Sequence, residues 1–414
     1  MNSAIAATIG LVLAIVLIIK KLSPVYALLL GSIVGGLCAG WGLPDTVARM
    51  IDGVKDITPA IVRIIAAGVL TGMLVVTGAA QRISLSIIKG LGPKNVYLAL
   101  ALSALILTAT GVFIDVAVIT IAPIAIITGN KLGLSRGKLL LAMIGGGKCG
   151  NVMSPNPNTI IAAENFGAPL SSVMGAGIIP AIIGLVVTVF VIVKIMPEGE
   201  KICLKADIEE QKDLPGFWAS IAGPLVAIAL LALRPICGFA VDPLVALPVG
   251  GVVGIIATGA WKKTGECLKY GLGKMSGIAV LLVGTGTIAG IIKASAIKDV
   301  LVGLLSGWDS GALMMAPLSG VLLSAASAST TAGATIASAS FSQTILGAGI
   351  SAVWAAAMTN AGATVLDHLP HGSFFHATGG SVGMDVKDRL KLIPYESLVG
   401  LVLTACTVAA YLIL

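Results

Sequence analysis

Apolar runs of close to 20 residues recur along this chain, and that is the length an α-helix needs to cross a lipid bilayer. The chain is 57% hydrophobic and 11% charged, which is more apolar than a water-soluble core of this size requires. The sequence therefore predicts an all-α polytopic membrane protein. For such a protein a net charge of +7 indicates basic cytoplasmic loops and gives no reason to expect a nucleic-acid partner.

Two apolar segments, 97–129 and 312–346, are too long for one span, and small and polar residues interrupt the middle of each. We expect both to be re-entrant helical hairpins, because polar backbone at membrane depth needs protein or a watery cavity around it. Spans 140–163 and 349–376 are expected to be broken helices, since prolines and polar residues interrupt them. The ten predicted spans are 4–19, 23–43, 60–80, 140–163, 171–194, 216–233, 241–260, 277–293, 349–376 and 395–413.

The order of these elements recurs in the two halves of the chain. Gly111 and Pro157 are 46 residues apart, and so are Ser324 and Pro370. The second series starts on the opposite side of the membrane from the first. The pattern therefore predicts two inverted repeats, 1–196 and 216–414, which are typical of secondary transporters. Residues 197–215 carry mixed charges and are predicted to be the cytoplasmic linker between them.

The distribution of basic residues predicts the orientation. With both termini outside the inner (cytoplasmic) membrane, 19 of the 26 Lys and Arg residues face the cytoplasm, the side that such residues favour. The remaining seven are Arg49, Lys55, Arg63, Lys148, Arg234, Lys293 and Lys298.

Polar residues concentrate where the apolar pattern is broken, and we predict that they bind the substrate. Unwound backbone and helix N-terminal ends at such breaks can receive an anion. Lys148 would neutralise a carboxylate; its alternative role is a structural ion pair with Asp115 or Asp367. For each serine and threonine the alternative is a hydrogen bond to the carbonyl one turn back. The candidate substrate-binding residues are Lys148, Asn151, Ser154, Asn156, Asn158, Thr159, Ser327, Ser329, Thr330, Thr331 and Thr335.

All three histidines of the chain lie in the stretch VLDHLPHGSFFH (365–376), which also contains Asp367. Histidine titrates near neutral pH, and burial can shift an aspartate towards that range. The alternative for His368 and His376 is a simple bond to a neighbouring carbonyl. No metal or cofactor is expected, because the six cysteines show no paired or metal-like spacing. The candidate proton-coupling residues are Asp115, Asp367, His368 and His371.

Five stretches of the chain resemble the gluconate:proton symporter (GntP) family of the ion-transporter superfamily. They occur in the family's order over nearly the whole chain: TGAAQRI (77–83), GVFIDVAVITIAPI (111–124), SPNPNTIIAA (154–163), SASTTAGATIAS (327–338) and LDHLPHGSFF (366–375). The resemblance implies proton-coupled symport of gluconate or a related hydroxy-monocarboxylate. It also implies a homodimer in which a scaffold domain supports a transport domain that moves as an elevator. The second broken span looks more like a branch that includes 3-hydroxybutyrate carriers.

Two other functions stay open at this point. Carbonyls and hydroxyls at hairpin tips can hold sodium, so a sodium-coupled carboxylate symporter is one alternative. Asp367, His371 and a serine have the residue types of a nucleophilic triad, so an intramembrane hydrolase is another, although no G-x-S-x-G turn supports it. We predict that the protein is a secondary active transporter and not an enzyme. Its predicted substrate is a small organic anion, and membrane lipid is expected to surround it.

Overall fold

A computed structural model describes residues 3–201, 213–296, 311–370 and 372–413, and these form helices without a β-strand. The first half contains α1 (Ser3–Ile19), α2 (Pro24–Cys38), α3 (Leu43–Val76), α4 (Ala79–Leu91), α5 (Val96–Ala109), α6 (Ile114–Leu132), α7 (Arg136–Val152), α8 (Pro157–Asn165), α9 (Leu170–Ala176), α10 (Ile178–Val187) and α11 (Val193–Ile195). The second contains α12 (Phe217–Cys237), α13 (Pro243–Ala257), α14 (Thr264–Lys293), α15 (Gly311–Ser327), α16 (Thr330–Gly347), α17 (Ala352–Gly362), α18 (Ser373–Ser381), α19 (Val386–Leu390) and α20 (Ile393–Ile413). A π-helical segment, Thr188–Ile192, joins α10 to α11.

Six helices of the described part are long and apolar enough to cross a membrane, which makes the chain an integral membrane protein. A seventh is added if Ala79–Leu91 and Pro93–Ala109, which meet at 109°, form one bent span. The other predicted spans correspond to shorter or divided helices. Helices α2 and α13 have 15 residues each, which reach about 23 Å, less than the roughly 30 Å of a bilayer core. The number of ten spans therefore stays a prediction.

Both segments predicted as hairpins contain a pair of helices with a short turn. In the first, the turn 110–113 separates α5 from α6, and Gly111 there has a positive φ of 95°. In the second, only Ala328 and Ser329 separate α15 from α16. Ala328 has φ 46°, which non-glycine residues seldom adopt. Both predicted broken spans are interrupted as well, between Val152 and Pro157 and between Gly362 and Ser373.

Contacts divide the chain into two compact units. The first unit contains Met1–Val62, Pro157–Ala176 and Ser276–Gly372; the second contains Arg63–Asn156, Gly177–Met275 and Ser373–Leu414. In the first unit, α15, α16, α17 and α8 pack on one another. Its apolar core joins α1, α2 and the end of α14 to the hairpin through residues such as Leu11, Ile288, Leu323 and Ile336. Each unit draws on both halves of the sequence, so this grouping does not test the predicted repeats.

Glycines on α7 allow this helix to pack closely against α5 in the second unit. A Cβ on Gly146 would collide with the carbonyl of Ala101, and one on Gly150 with the carbonyl of Leu105. These two glycines are one turn apart and face α5, so α5 and α7 approach at backbone distance. Thr108 of α5 fixes the contact, since its Oγ1 donates to the carbonyl of Gly147 at 2.9 Å.

Arg63, one of the seven basic residues that are not assigned to the cytoplasmic side, pairs with Asp242 within the second unit. Its Nη2 lies 2.8 Å from Oδ2 of Asp242, and Nε donates to the same carboxylate at 3.0 and 3.2 Å. Asp242 also caps α13 by accepting from the amide of Leu244 at 2.8 Å.

Candidate functional site

Asp367 lies at the centre of a hydrogen-bonded group in the first unit, in the break that follows α17. Thr330, the first residue of α16, donates to its Oδ2 at 2.5 Å. Nδ1 of His368 lies 3.0 Å from its Oδ1. Asp367 is 2% exposed and His368 is fully buried. The carboxylate therefore links the tip of the second hairpin to the second broken span, and an imidazole stands next to it.

An asparagine pair connects the start of α8 to the end of α17. Nδ2 of Asn158 donates to Oδ1 of Asn360 at 2.6 Å, and Nδ2 of Asn360 donates to Oγ1 of Thr159 at 3.1 Å. All three side chains are buried. The sequence reasoning selected Asn158 and Thr159 but missed Asn360. The available signal was a lone asparagine in the apolar run that precedes the break.

The first residues of α8 and α16 both contact the chain around the break after α17. Asn158 at the start of α8 contacts Asn360 just before the break, and Thr330 at the start of α16 contacts Asp367 within it. Further along both helices, Nδ2 of Asn165 donates to Oγ of Ser338 at 2.8 Å. The two helices thus run side by side in one direction. Their N-terminal ends, which carry partial positive charge, both lie at the break after α17.

Four buried hydroxyls of the first unit make no hydrogen bond to the described residues. They are Oγ1 of Thr46 on α3, Oγ1 of Thr335 and Oγ of Ser340 on α16, and Oγ1 of Thr359, the residue before Asn360. All four side chains are buried. An unpaired buried hydroxyl is unfavourable by about 1–3 kcal/mol unless a water or ligand satisfies it. Among these four residues, only Thr335 was a predicted site residue.

The other predicted residues of the hairpin tip have local roles. Oγ of Ser327 donates to the carbonyl of Leu323 at 2.8 Å, which is the alternative role that its sequence allowed. Ser329 is the N-cap of α16 and accepts from the amide of Ala332 at 3.2 Å. Thr331 follows Thr330 and is half-buried. Gly372 packs on this tip, because a Cβ there would meet Ala328.

In the second unit, the break after α7 is organised by Asn151. Its carbonyl accepts hydrogen bonds from Oγ of Ser154 at 2.9 Å and from Nδ2 of Asn156 at 3.1 Å. The side chains of Asn151 and Asn156 are also hydrogen-bonded to each other. All three residues are buried. Their observed hydrogen bonds hold the unwound backbone of this break.

Lys148 is fully buried in the second unit, and its Nζ donates to the main-chain carbonyl of Glu396 at 3.4 Å. Glu396 forms a buried ion pair with Arg389. Nη2 of Arg389 also donates to Thr378 at 3.2 Å, and its guanidinium lies 4.9 Å from the ring centre of Phe375. Arg389, which the charge analysis assigned to the cytoplasmic surface, is only 1% exposed. Sequence reasoning missed this group of charges.

The two remaining candidates for proton coupling are Asp115 and His371. Asp115 lies half-buried in the first turn of α6, in the second unit, and forms no ion pair with the described residues. His371 lies outside the described residues. No group of three or more His, Cys, Asp or Glu residues in the described part has the geometry of a metal site.

Comparisons with known proteins place the chain among transporters. The family model of GntP family permeases matches residues 3–414. An uncharacterized transporter of Haemophilus influenzae is 53% identical over 403 residues, which are 97% of this chain and 96% of that protein. A gluconate permease of Zymomonas mobilis is 24% identical and the D-serine transporter DsdX of Escherichia coli K12 is 26% identical, each over 77% of both chains.

The fold also has a solved counterpart. The crystal structure of the Alcanivorax borkumensis YdaH transporter superposes with a TM-score of 0.65 at 14% identity, covering 89% of this chain and 88% of that one. At this identity the likeness concerns the fold alone. The relatives by sequence are permeases and transporters, and none of those described here is an enzyme. The chain is an integral membrane transporter, and it belongs to the GntP permease family.

Proposed function

We propose that the protein is a proton-coupled symporter of a small hydroxy-monocarboxylate, whose carboxylate binds at the break after α17. The observation that carries this proposal is the convergence of the α8 and α16 N-terminal ends on a buried group with donors and one carboxyl. Helix N-termini favour anions, and the amides of Asn158 and Asn360 add donors nearby. The buried hydroxyl of Thr359, which makes no hydrogen bond to the described residues, suits a substrate that itself carries hydroxyl groups.

We assign to Asp367 the role of carrying the coupling proton. A substrate anion that arrives beside a buried carboxylate would be repelled unless a proton neutralised that carboxylate. Binding of the proton and binding of the anion are therefore linked. The hydrogen bond between Thr330 and Asp367 can persist in both protonation states of Asp367, because the Thr330 hydroxyl can donate to the carboxylate or accept from the protonated acid. The relatives named as gluconate permease and D-serine transporter support a small hydroxylated acid as substrate class. Under this proposal Lys148 belongs to the charge group of Arg389 and Glu396.

The glycine contacts support the inverted repeats. In the first unit, Gly53 of α3 packs against Gly286 of α14; in the second unit, Gly68 of α3 packs against Gly271 of α14. Residues 53 and 271 are 218 positions apart, and so are 68 and 286. Such reciprocal contacts are what a two-fold relation between α3 and α14 would produce. The elevator motion and the homodimer follow from the family resemblance, and both stay predictions, as does the location in the inner membrane.

The function is tested by a thermal-shift screen of the purified protein with gluconate, 3-hydroxybutyrate and D-serine, at two pH values, with and without sodium. A ligand that binds only the folded state raises the unfolding midpoint. We expect stabilisation by at least one hydroxy acid without a sodium requirement. Stabilisation that depends on sodium would instead favour the sodium-coupled alternative.

Removal of the Asn360 side chain is predicted to weaken substrate binding while the protein still inserts and folds. Asn360→Ala removes the hydrogen bonds that Asn360 makes with Asn158 and Thr159, and we expect it to cost about 1–3 kcal/mol, or about 5- to 150-fold in affinity. The check is the dissociation constant of the substrate found in the screen. Asn158→Ala should have a similar effect, and the double variant should be little worse than either single one. Wild-type affinity in both single variants would show that the substrate does not bind at the asparagine pair.

Cysteines placed at Lys201 and Lys387 in a cysteine-free background are predicted to react with an impermeant maleimide only from the cytoplasmic side. Both positions are exposed in the described structure, so labelling reports sidedness and not burial. Cysteine at Asp56, which the same charge distribution assigns to the outer side, is the matched control and should label in intact cells. Labelling of position 201 or 387 from outside would contradict the predicted orientation.

A further inference from the structure

A polar cavity of about 210 Å³ lies in the first unit, at the ends of α8 and α16 that are remote from the asparagine pair. Its charged groups are Asp56 on α3, Glu164 on α8 and Lys293 on α14, and Lys293 donates to Asp56 at 2.8 Å. The cavity therefore has two carboxylates for one ammonium. Asn165 and Ser342 add neutral polar groups to its lining.

A row of hydroxyls on one face of α16 leads from this cavity towards the hairpin tip. Its members, Thr331, Thr335, Ser338 and Ser342, are three or four residues apart, which places them above one another on the helix. Ser342 lines the cavity. Ser338 accepts the hydrogen bond from Asn165, so this face of α16 packs against α8. At the inner end, Thr330 donates to Asp367.

The contact between α8 and α16 is too closely packed for an organic anion. Thr335 is fully buried, and Ser338 and Ser342 are 0% and 5% exposed. Hydroxyls one turn apart are separated by about 6 Å, which one water molecule bridges with two hydrogen bonds. Oγ1 of Thr335 is buried and has no hydrogen bond to the described residues, so it is the member of the row that such a water would satisfy.

We propose that this row carries the coupling proton between the cavity and Asp367. The inference rests on the proposed function, because it supplies the route to the carboxyl assigned there. Each hydroxyl or bridging water would accept a proton on a lone pair and release its own hydrogen to the next oxygen, so no bond to carbon changes. For Ser338, which donates to the carbonyl of Ala334 at 2.6 Å, this step requires its hydroxyl to turn towards the row. Helices α15, α16 and α17 contain no ionisable residue. The charged groups facing the row are therefore Asp56, Glu164 and Lys293 at one end and Asp367 with His368 at the other.

Thr335→Val tests the route, because it removes the hydroxyl and keeps the shape of the side chain. In liposomes that contain the full-length protein and a pH-sensitive dye, it should slow substrate-driven proton entry by at least about tenfold. The probe anions are gluconate, 3-hydroxybutyrate and D-serine. Substrate counterflow, which needs no net proton movement, should stay near wild type, and Thr335→Ser should restore proton entry. Thr344→Val is the matched control, since Thr344 is also buried on α16 but lies about 180° around the helix.

The outcomes separate the route from the transport function. Wild-type proton entry in Thr335→Val would overturn the route and leave the symporter intact. Equal loss of counterflow and proton entry would make Thr335 a substrate ligand, which also overturns the route. A wild-type protein that transports a probe without moving protons, or transports none of the three, would remove the proposed function and the route together.

Discussion

Asp367→Asn is expected to abolish accumulation driven by a pH gradient, while counterflow of the substrate persists. The amide cannot take up or release a proton in the physiological range, so the cycle loses the step that couples the two fluxes. Exchange across the membrane needs no such step. The buried carboxyl has a neighbour on each oxygen, Thr330 and His368, and an asparagine can still accept from one of them. We therefore expect the variant to fold and to bind its anion.

The measurement is uptake into right-side-out vesicles with an imposed pH gradient, compared with counterflow in the same preparation. Asp52→Asn is the matched control, because Asp52 belongs to the same unit but is an exposed partner of Lys55. That variant should accumulate substrate as wild type does. Full pH-driven accumulation by Asp367→Asn would contradict the proposal that Asp367 carries the proton. Uptake by the wild-type protein that follows a sodium gradient at fixed pH would show that sodium, and not the proton, is the coupling ion.

Arg389→Ala is expected to destabilise the second unit strongly. It would remove the ion-pair partner of Glu396, whose side chain is 0% exposed, together with the hydrogen bond to Thr378 and the contact with Phe375. Breaking one side of a buried ion pair costs about 3–5 kcal/mol. The midpoint of thermal unfolding in detergent should fall accordingly, and the effect should not depend on added substrate.

Lys391→Ala provides the comparison for this prediction. Lys391 stands two residues further along and pairs with Asp388 at 2.6 Å, but 66% of its side chain is exposed. Exposed pairs contribute little, so the midpoint should hardly move. The double variant Arg389→Met/Glu396→Leu removes both charges and should recover much of the lost stability. An equally small effect of Arg389→Ala and Lys391→Ala would mean that water reaches Glu396 when its partner is removed.

The local breaks of the helices were predictable from the sequence because their causes are local. Pro155 and Pro157 remove amide donors, and the helix that precedes them ends at Val152. The small and polar residues around Ser327 mark the turn between α15 and α16. The lengths of the spans were less predictable: α3 continues from Leu43 through Pro59 to Val76, whereas the apolar pattern suggested a span at 60–80.

The membrane class, the family and the segments that contain the candidate residues were determined by the sequence alone, through apolar length, composition and motifs that need no partner in space. Only the tertiary structure decided which of those residues meet. It joins Asn158 to Asn360, which are 202 positions apart, and Thr330 to Asp367, and it assigns Lys148 to the carbonyl of Glu396. The reason is physical: a buried polar side chain must find a hydrogen-bond partner, and packing of distant helices determines which partner is within reach.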